Sequence, residues 1–201
     1  MKTKNIISIL ILLSLVGFIG FGYFLLKREM GSPKLPVLGE VKDFKLINSK
    51  NEPFDSRSLD NKIWIVNFFF TTCGDICPIL SKNMGNLSRT FELVKDVTLV
   101  SITVNPEQDT PEVLADYSQK YRTNQNWFFL TGEREDIKDI LVNSMKIGDI
   151  KEPIFHSNRF ILIDRYGYIR GYYNGTNTGE VNQLFKDAAA LVKEKKFFRK
   201  E

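Results

Sequence analysis

Cys73, Cys77 and His156 are the side chains best suited to chemistry in this 201-residue chain, which contains two cysteines and one histidine in all. The cysteines stand in Thr71-Thr72-Cys73-Gly74-Asp75-Ile76-Cys77-Pro78, directly after the apolar run from Ile63 to Phe70. Three intervening residues place the sulfurs about one helical turn apart if the segment is partly wound, near enough to share an ion or to bond to each other. Two thiolates and one imidazole form a soft, three-coordinate set suited to Cu(I) and able to hold Cu(II), whereas structural zinc normally takes a fourth protein ligand. Two thiols alone can instead cycle between dithiol and disulfide. The histidine separates these readings, because a redox pair does not need it.

These groups need elements to hold them. The run Ile63 to Phe70 is β-branched and aromatic at every position but Asn67, the pattern of a strand buried on both faces of a parallel sheet. Pro78 suits the first turn of a following helix, whose apolar face is Ile79, Leu80, Met84, Leu87 and Phe91. A thiol at such a strand-to-helix turn lies at a helix N-terminus, which predicts an accessible thiolate at Cys77. Val97 to Val104 predicts a second buried strand, and Thr110-Pro111-Glu112 starts a helix with a capping hydroxyl and an early proline. Asn126 to Leu130 predicts a third strand, followed by a helix with Ile137, Ile140, Leu141 and Met145. Arg159 to Asp164 and Tyr168 to Tyr173 flank Arg165-Tyr166-Gly167 as a hairpin whose glycine supplies the turn. A last helix runs from Gly179 to about Phe198 and buries Val181, Leu184, Phe185, Ala188 and Leu191. Phe44 to Ile47 and Glu52-Pro53-Phe54 form a short earlier hairpin. This order predicts an α/β fold, a thioredoxin-like sandwich in which a central mixed sheet is flanked by helices. His156 falls in the loop that enters the hairpin strand next to the first core strand.

Ile6 to Leu26 is uncharged and almost wholly apolar, about long enough to cross a bilayer, with basic residues on both sides. No Ala-x-Ala cleavage site follows it, so residues 1–29 are expected to be a membrane anchor and 30–40, with two prolines and two glycines, a tether. Residues 41–201 then make one domain. The formal charge of +4 is spread among acidic residues, which excludes a nucleic-acid stripe. Two cysteines are too few for a disulfide-stapled scaffold.

The segment Phe68 to Pro78, then Asn105-Pro106-Glu107-Gln108-Asp109-Thr110, Leu130-Thr131-Gly132, and His156 ahead of Phe160-Ile161-Leu162-Ile163-Asp164 together resemble the Sco/SenC family of membrane-tethered, thioredoxin-like copper proteins. The resemblance covers nearly all of the chain after the tether. It implies a copper chaperone that binds one copper ion through Cys73, Cys77 and His156 and serves the dinuclear copper site of cytochrome c oxidase subunit II. It also implies a possible thiol-disulfide reductase role for Cys73 and Cys77, which would otherwise stand as an alternative function. A peroxidase is disfavoured because both cysteines share one loop. The family commonly carries Asp-Pro-x-Arg-Asp-Thr where this chain has Asn105 to Thr110, so Asn105 and Gln108 replace two charged groups with neutral hydrogen-bonding ones. Phe155 stands where an acidic residue often precedes the histidine, an apolar neighbour that favours neutral imidazole. The short lysine-bearing start predicts the inner membrane of a bacterium, with the domain in the periplasm.

Overall fold

The computed structural model describes residues 13–22, 35–121, 125–147 and 157–194. The chain divides into two units, Met1–Lys34 and Leu35–Glu201. In the first, residues 13–22 are helical (α1) with side chains such as Phe18 exposed. Among the described residues no helix is long and apolar enough to cross a membrane, and residues 6–12 and 23–26 of the expected span lie outside them.

The second unit is built on one sheet of eight strands: β1 (Gly39–Glu40), β2 (Lys45–Asn48), β3 (Pro53–Asp55), β4 (Ile63–Phe69), β5 (Val97–Thr103), β6 (Trp127–Thr131), β7 (Arg159–Ile163) and β8 (Tyr168–Asn174). Their spatial order is β1-β8-β7-β4-β5-β6-β2-β3. β4, β5 and β6 pair in parallel, while β7 lies antiparallel to β4 and β8 to β7. β4 and β5 are buried at every position, as their largely apolar runs predict, and the burial extends to Asn67 in β4 and to Thr98, Ser101 and Thr103 in β5.

Because successive strand side chains point to opposite faces, β4 supplies two cores. Ile63, Ile65 and Phe69 pack under α2 (Cys77–Thr90), α3 (Pro111–Lys120) and α5 (Thr178–Lys193). Trp64, Val66 and Phe68 pack under α4 (Arg134–Asp139) and the π-helical turn Ile140–Ser144 that continues it. The mixed-sheet α/β sandwich is therefore the arrangement expected from the sequence. Gly167 closes the β7–β8 hairpin at φ 81°, a conformation that suits glycine.

Three readings need correction. Ile79 and Phe185, placed on buried helix faces, are 47% and 38% exposed. The buried face of α2 is instead Cys77, Leu80, Ser81, Met84, Leu87 and Ser88, and Phe185 stacks on Phe91 from outside, with ring centroids 5.4 Å apart. Part of the stretch read as tether is sheet: Gly39 and Glu40 pair with Ile169 and Tyr168. Arg170 fastens the residues before them, donating to the carbonyls of Pro36 and Leu35. The C-terminal end of the last predicted helix, beyond residue 194, lies outside the described residues.

Candidate metal centre

β4 ends at Phe69 and α2 begins at Cys77, so the turn between them projects from the carboxyl end of the central strand, where α/β sheets place their chemistry. Pro78 occupies the first turn of α2, as predicted. The cysteines are not joined in a disulfide, and both are buried, Cys73 at 7% exposure and Cys77 at 2%. Thr72, Gly74 and Asp75 around them face solvent.

The two sulfurs are electrostatically unequal. Burial of Cys73 opposes its thiolate, but hydrogen bonds from the Cys77 thiol and from the backbone N–H groups of Cys77, Asp75 and Ile76 outweigh this and hold its pKa below the ordinary thiol value. Burial pushes Cys77 up to about 12, reinforced by its hydrogen bond to Cys73 and by the charges of Cys73 and Asp109. This reverses the expectation that Cys77 carries the favoured thiolate. The free N–H groups of the helix start converge on the sulfur one turn upstream, so Cys73 receives them and Cys77, inside the helix, does not.

Asp109 was quoted from the sequence only as part of a motif, yet it organises the site. Its carboxylate is fully buried and accepts from the Thr71 backbone N–H at 3.1 Å, from the Thr71 hydroxyl and from the Thr103 hydroxyl. It thereby ties the end of β5 to the loop that starts two residues before Cys73. A carboxylate in the loop following the neighbouring parallel strand was the signal that could have marked it. In the same loop the side chains of Asn105 and Gln108 bond to each other at 2.9 Å, and Glu107 pairs with Arg134 of α4. Behind Cys77, Ser81 and Tyr117 share a 2.9 Å hydrogen bond between α2 and α3, and burial raises the Tyr117 pKa.

His156 lies outside the described residues, and among the described residues no three His, Cys, Asp or Glu side chains cluster as a metal site. What is described is the start of β7. Phe160 sits opposite Asn67 of β4, so β7 begins at the same end of the sheet as the cysteine turn. Ser157 is buried, and the Asn158 carbonyl accepts from Gly175 N–H at 2.7 Å.

Known proteins share this sequence pattern and fold. A family model described as SCO1/SenC matches residues 37–193. A SCO2-like protein of Rickettsia typhi is 32% identical over 92% of this chain and 98% of its own. The structure of BsSco, described as a member of the Sco family of cytochrome c oxidase assembly proteins with a disulfide switch, is 28% identical with a TM-score of 0.71, covering 80% of this chain and 98% of that one. Bradyrhizobium japonicum ScoI, solved with copper bound, shares the fold at 20% identity and a TM-score of 0.63, over 76% of this chain and 99% of its own. The mixed α/β domain is thus the thioredoxin-like fold of Sco structures.

Proposed function

Because the chain belongs to the SCO1/SenC family, we propose that it is a membrane-tethered copper chaperone that holds one copper ion through Cys73, Cys77 and His156. The observation that carries this reading is the pair of buried thiols, not joined in a disulfide, on the β4–α2 turn, at the sheet end where β7 begins one residue after Asn158 and three after His156. Soft sulfur donors in apolar surroundings suit Cu(I), and an added imidazole lets the set hold Cu(II). The copper-bound relative and the oxidase-assembly relative support copper as cargo and a cytochrome c oxidase, through subunit II or a similar copper-receiving protein, as client. We place the anchor at residues 6–26, in the inner membrane of a bacterium, with the domain in the periplasm.

Copper loading of the purified full chain tests the reading. One equivalent is expected, with a thiolate-to-Cu(II) absorption band that vanishes in His156→Ala; an unaltered band in that variant would refute the ligand set. Thiolate ligation releases protons, so affinity should fall as pH is lowered, and a pH-independent affinity would contradict it.

A second reading, thiol-disulfide exchange on partner cysteines, is favoured by the depressed pKa of Cys73 beside a protonated Cys77. Metal-free protein that reduces a disulfide substrate equally well with and without His156 would support it.

A further inference from the structure

We infer that Gly175, gripped between Asn83 and Asn158, is a positioning residue of the metal centre, fixing the chain that follows His156 against the helix that carries Cys77. The inference rests on the copper reading above. Gly175 donates its N–H to the Asn158 carbonyl at 2.7 Å, and its own carbonyl accepts from Asn83 Nδ2 at 2.7 Å. Asn83 lies on α2, and Leu80 is one turn after Cys77 on the same helix.

The glycine is required by space. A Cβ added at Gly175 would lie 2.6 Å from Leu80 Cδ2 and 2.6 Å from Phe160 Cε1. Both side chains are fully buried, Phe160 opposite Asn67 in β4, so neither has room to yield. Three pieces of the fold therefore meet at one residue: α2, β7 and the β8–α5 turn. The two residues from His156 to Asn158 span at most about 7 Å of chain. Whatever sets the place of Asn158 therefore limits where the imidazole can reach. The Asn83–Gly175–Asn158 bridge does this by direct hydrogen bonds to the cysteine helix. Groups that orient ligands from behind typically change metal affinity by about 10–100-fold.

The test compares purified full-length wild type, Asn83→Ala, Asn83→Gln, Gly175→Ala and His156→Ala, each loaded with Cu(II) and then Cu(I). Asn83 is half-buried on the helix, so its alanine variant should fold and melt like wild type. Its Cu(II) affinity should fall about tenfold, and its thiolate-to-copper band and nitrogen hyperfine pattern should shift toward those of His156→Ala. Cu(I), carried by the two thiolates, should change little, and the longer amide of Asn83→Gln should recover part of the wild-type spectrum. Gly175→Ala should show the same shift more strongly; should it fail to fold, Asn83→Ala decides alone. A wild-type Cu(II) spectrum and affinity in Asn83→Ala, beside a normal histidine-dependent band in the parent, overturns the positioning role and leaves the copper reading standing. A parent without any histidine-dependent band overturns the copper reading, and the inference falls with it.

Discussion

Cys73 and Cys77 titrate unequally: backbone N–H groups from the start of α2 favour charge on the first, while burial and the Asp109 carboxylate keep the second protonated. Alkylation follows thiolate population, so iodoacetamide should label Cys73 at lower pH than an ordinary thiol and reach Cys77 only as pH approaches its value of about 12. Peptide mass spectrometry across pH checks the order, and equal labelling rates would refute it. The raised Cys77 value also affects stability. A group whose folded pKa lies above its unfolded one stabilises the fold below the unfolded value and loses that contribution as pH rises through the folded one. Denaturation midpoints should therefore decline between about pH 8.5 and 12, and Cys77→Ser should flatten that decline. Asp109 is the other decisive side chain. Asp109→Ala leaves Thr71 N–H and two hydroxyls without their acceptor, a cost of about 3 kcal/mol in unfolding free energy. Asp109→Asn should instead lower the Cys77 pKa by removing a charge, readable in the same alkylation profile.

Helix α2 connects the cysteine turn to the core. Leu80 is fully buried, packed in the core under α2 and against the glycine of the β8–α5 turn. Leu80→Ala should cost about 3 kcal/mol, measured by chemical denaturation, and should weaken Cu(II) binding more than an equally destabilising change remote from the site. The strands and helices of this layer were readable from the sequence because β4 is apolar at all but Asn67, because β5 is rich in β-branched residues, and because proline and threonine mark the starts of α2 and α3. Ile79 and Phe185 were misread for different reasons: Phe185 follows the buried Leu184 and sits at the edge of its helix face, whereas Ile79, in the first turn of α2, lies away from the face that Cys77, Ser81, Met84 and Ser88 bury. β1 is two residues long, too short for any alternation to announce it. The cysteines were visible as chemistry, but the direction of their inequality depends on where three N–H groups point, and Asp109 depends on a contact across 38 residues of chain.

Arg170 binds the beginning of the domain to its far parts. Its guanidinium donates to the Leu35 and Pro36 carbonyls and pairs with Asp164 at 2.7 Å, with Glu194 of the C-terminal segment 4.0 Å away. The Arg170–Asp164 pair is largely buried, so removing one partner strands the other. Arg170→Ala should therefore raise amide hydrogen exchange at residues 35–40 and near Asp164 while leaving the cysteine turn protected; unchanged exchange at 35–40 would show that β1 pairing alone holds the segment. The register adds a geometric point. Glu40 lies opposite Tyr168, Asn174 opposite Arg159, and Phe160 opposite Asn67, so β1 joins the sheet at the end away from the cysteines. Seven residues of β4 separate those ends, about 20 Å at the usual rise. The sheet is thus a spacer as well as a scaffold: a partner engaging the thiols meets a surface set one strand's length from the point where β1 fastens the start of the domain to the sheet.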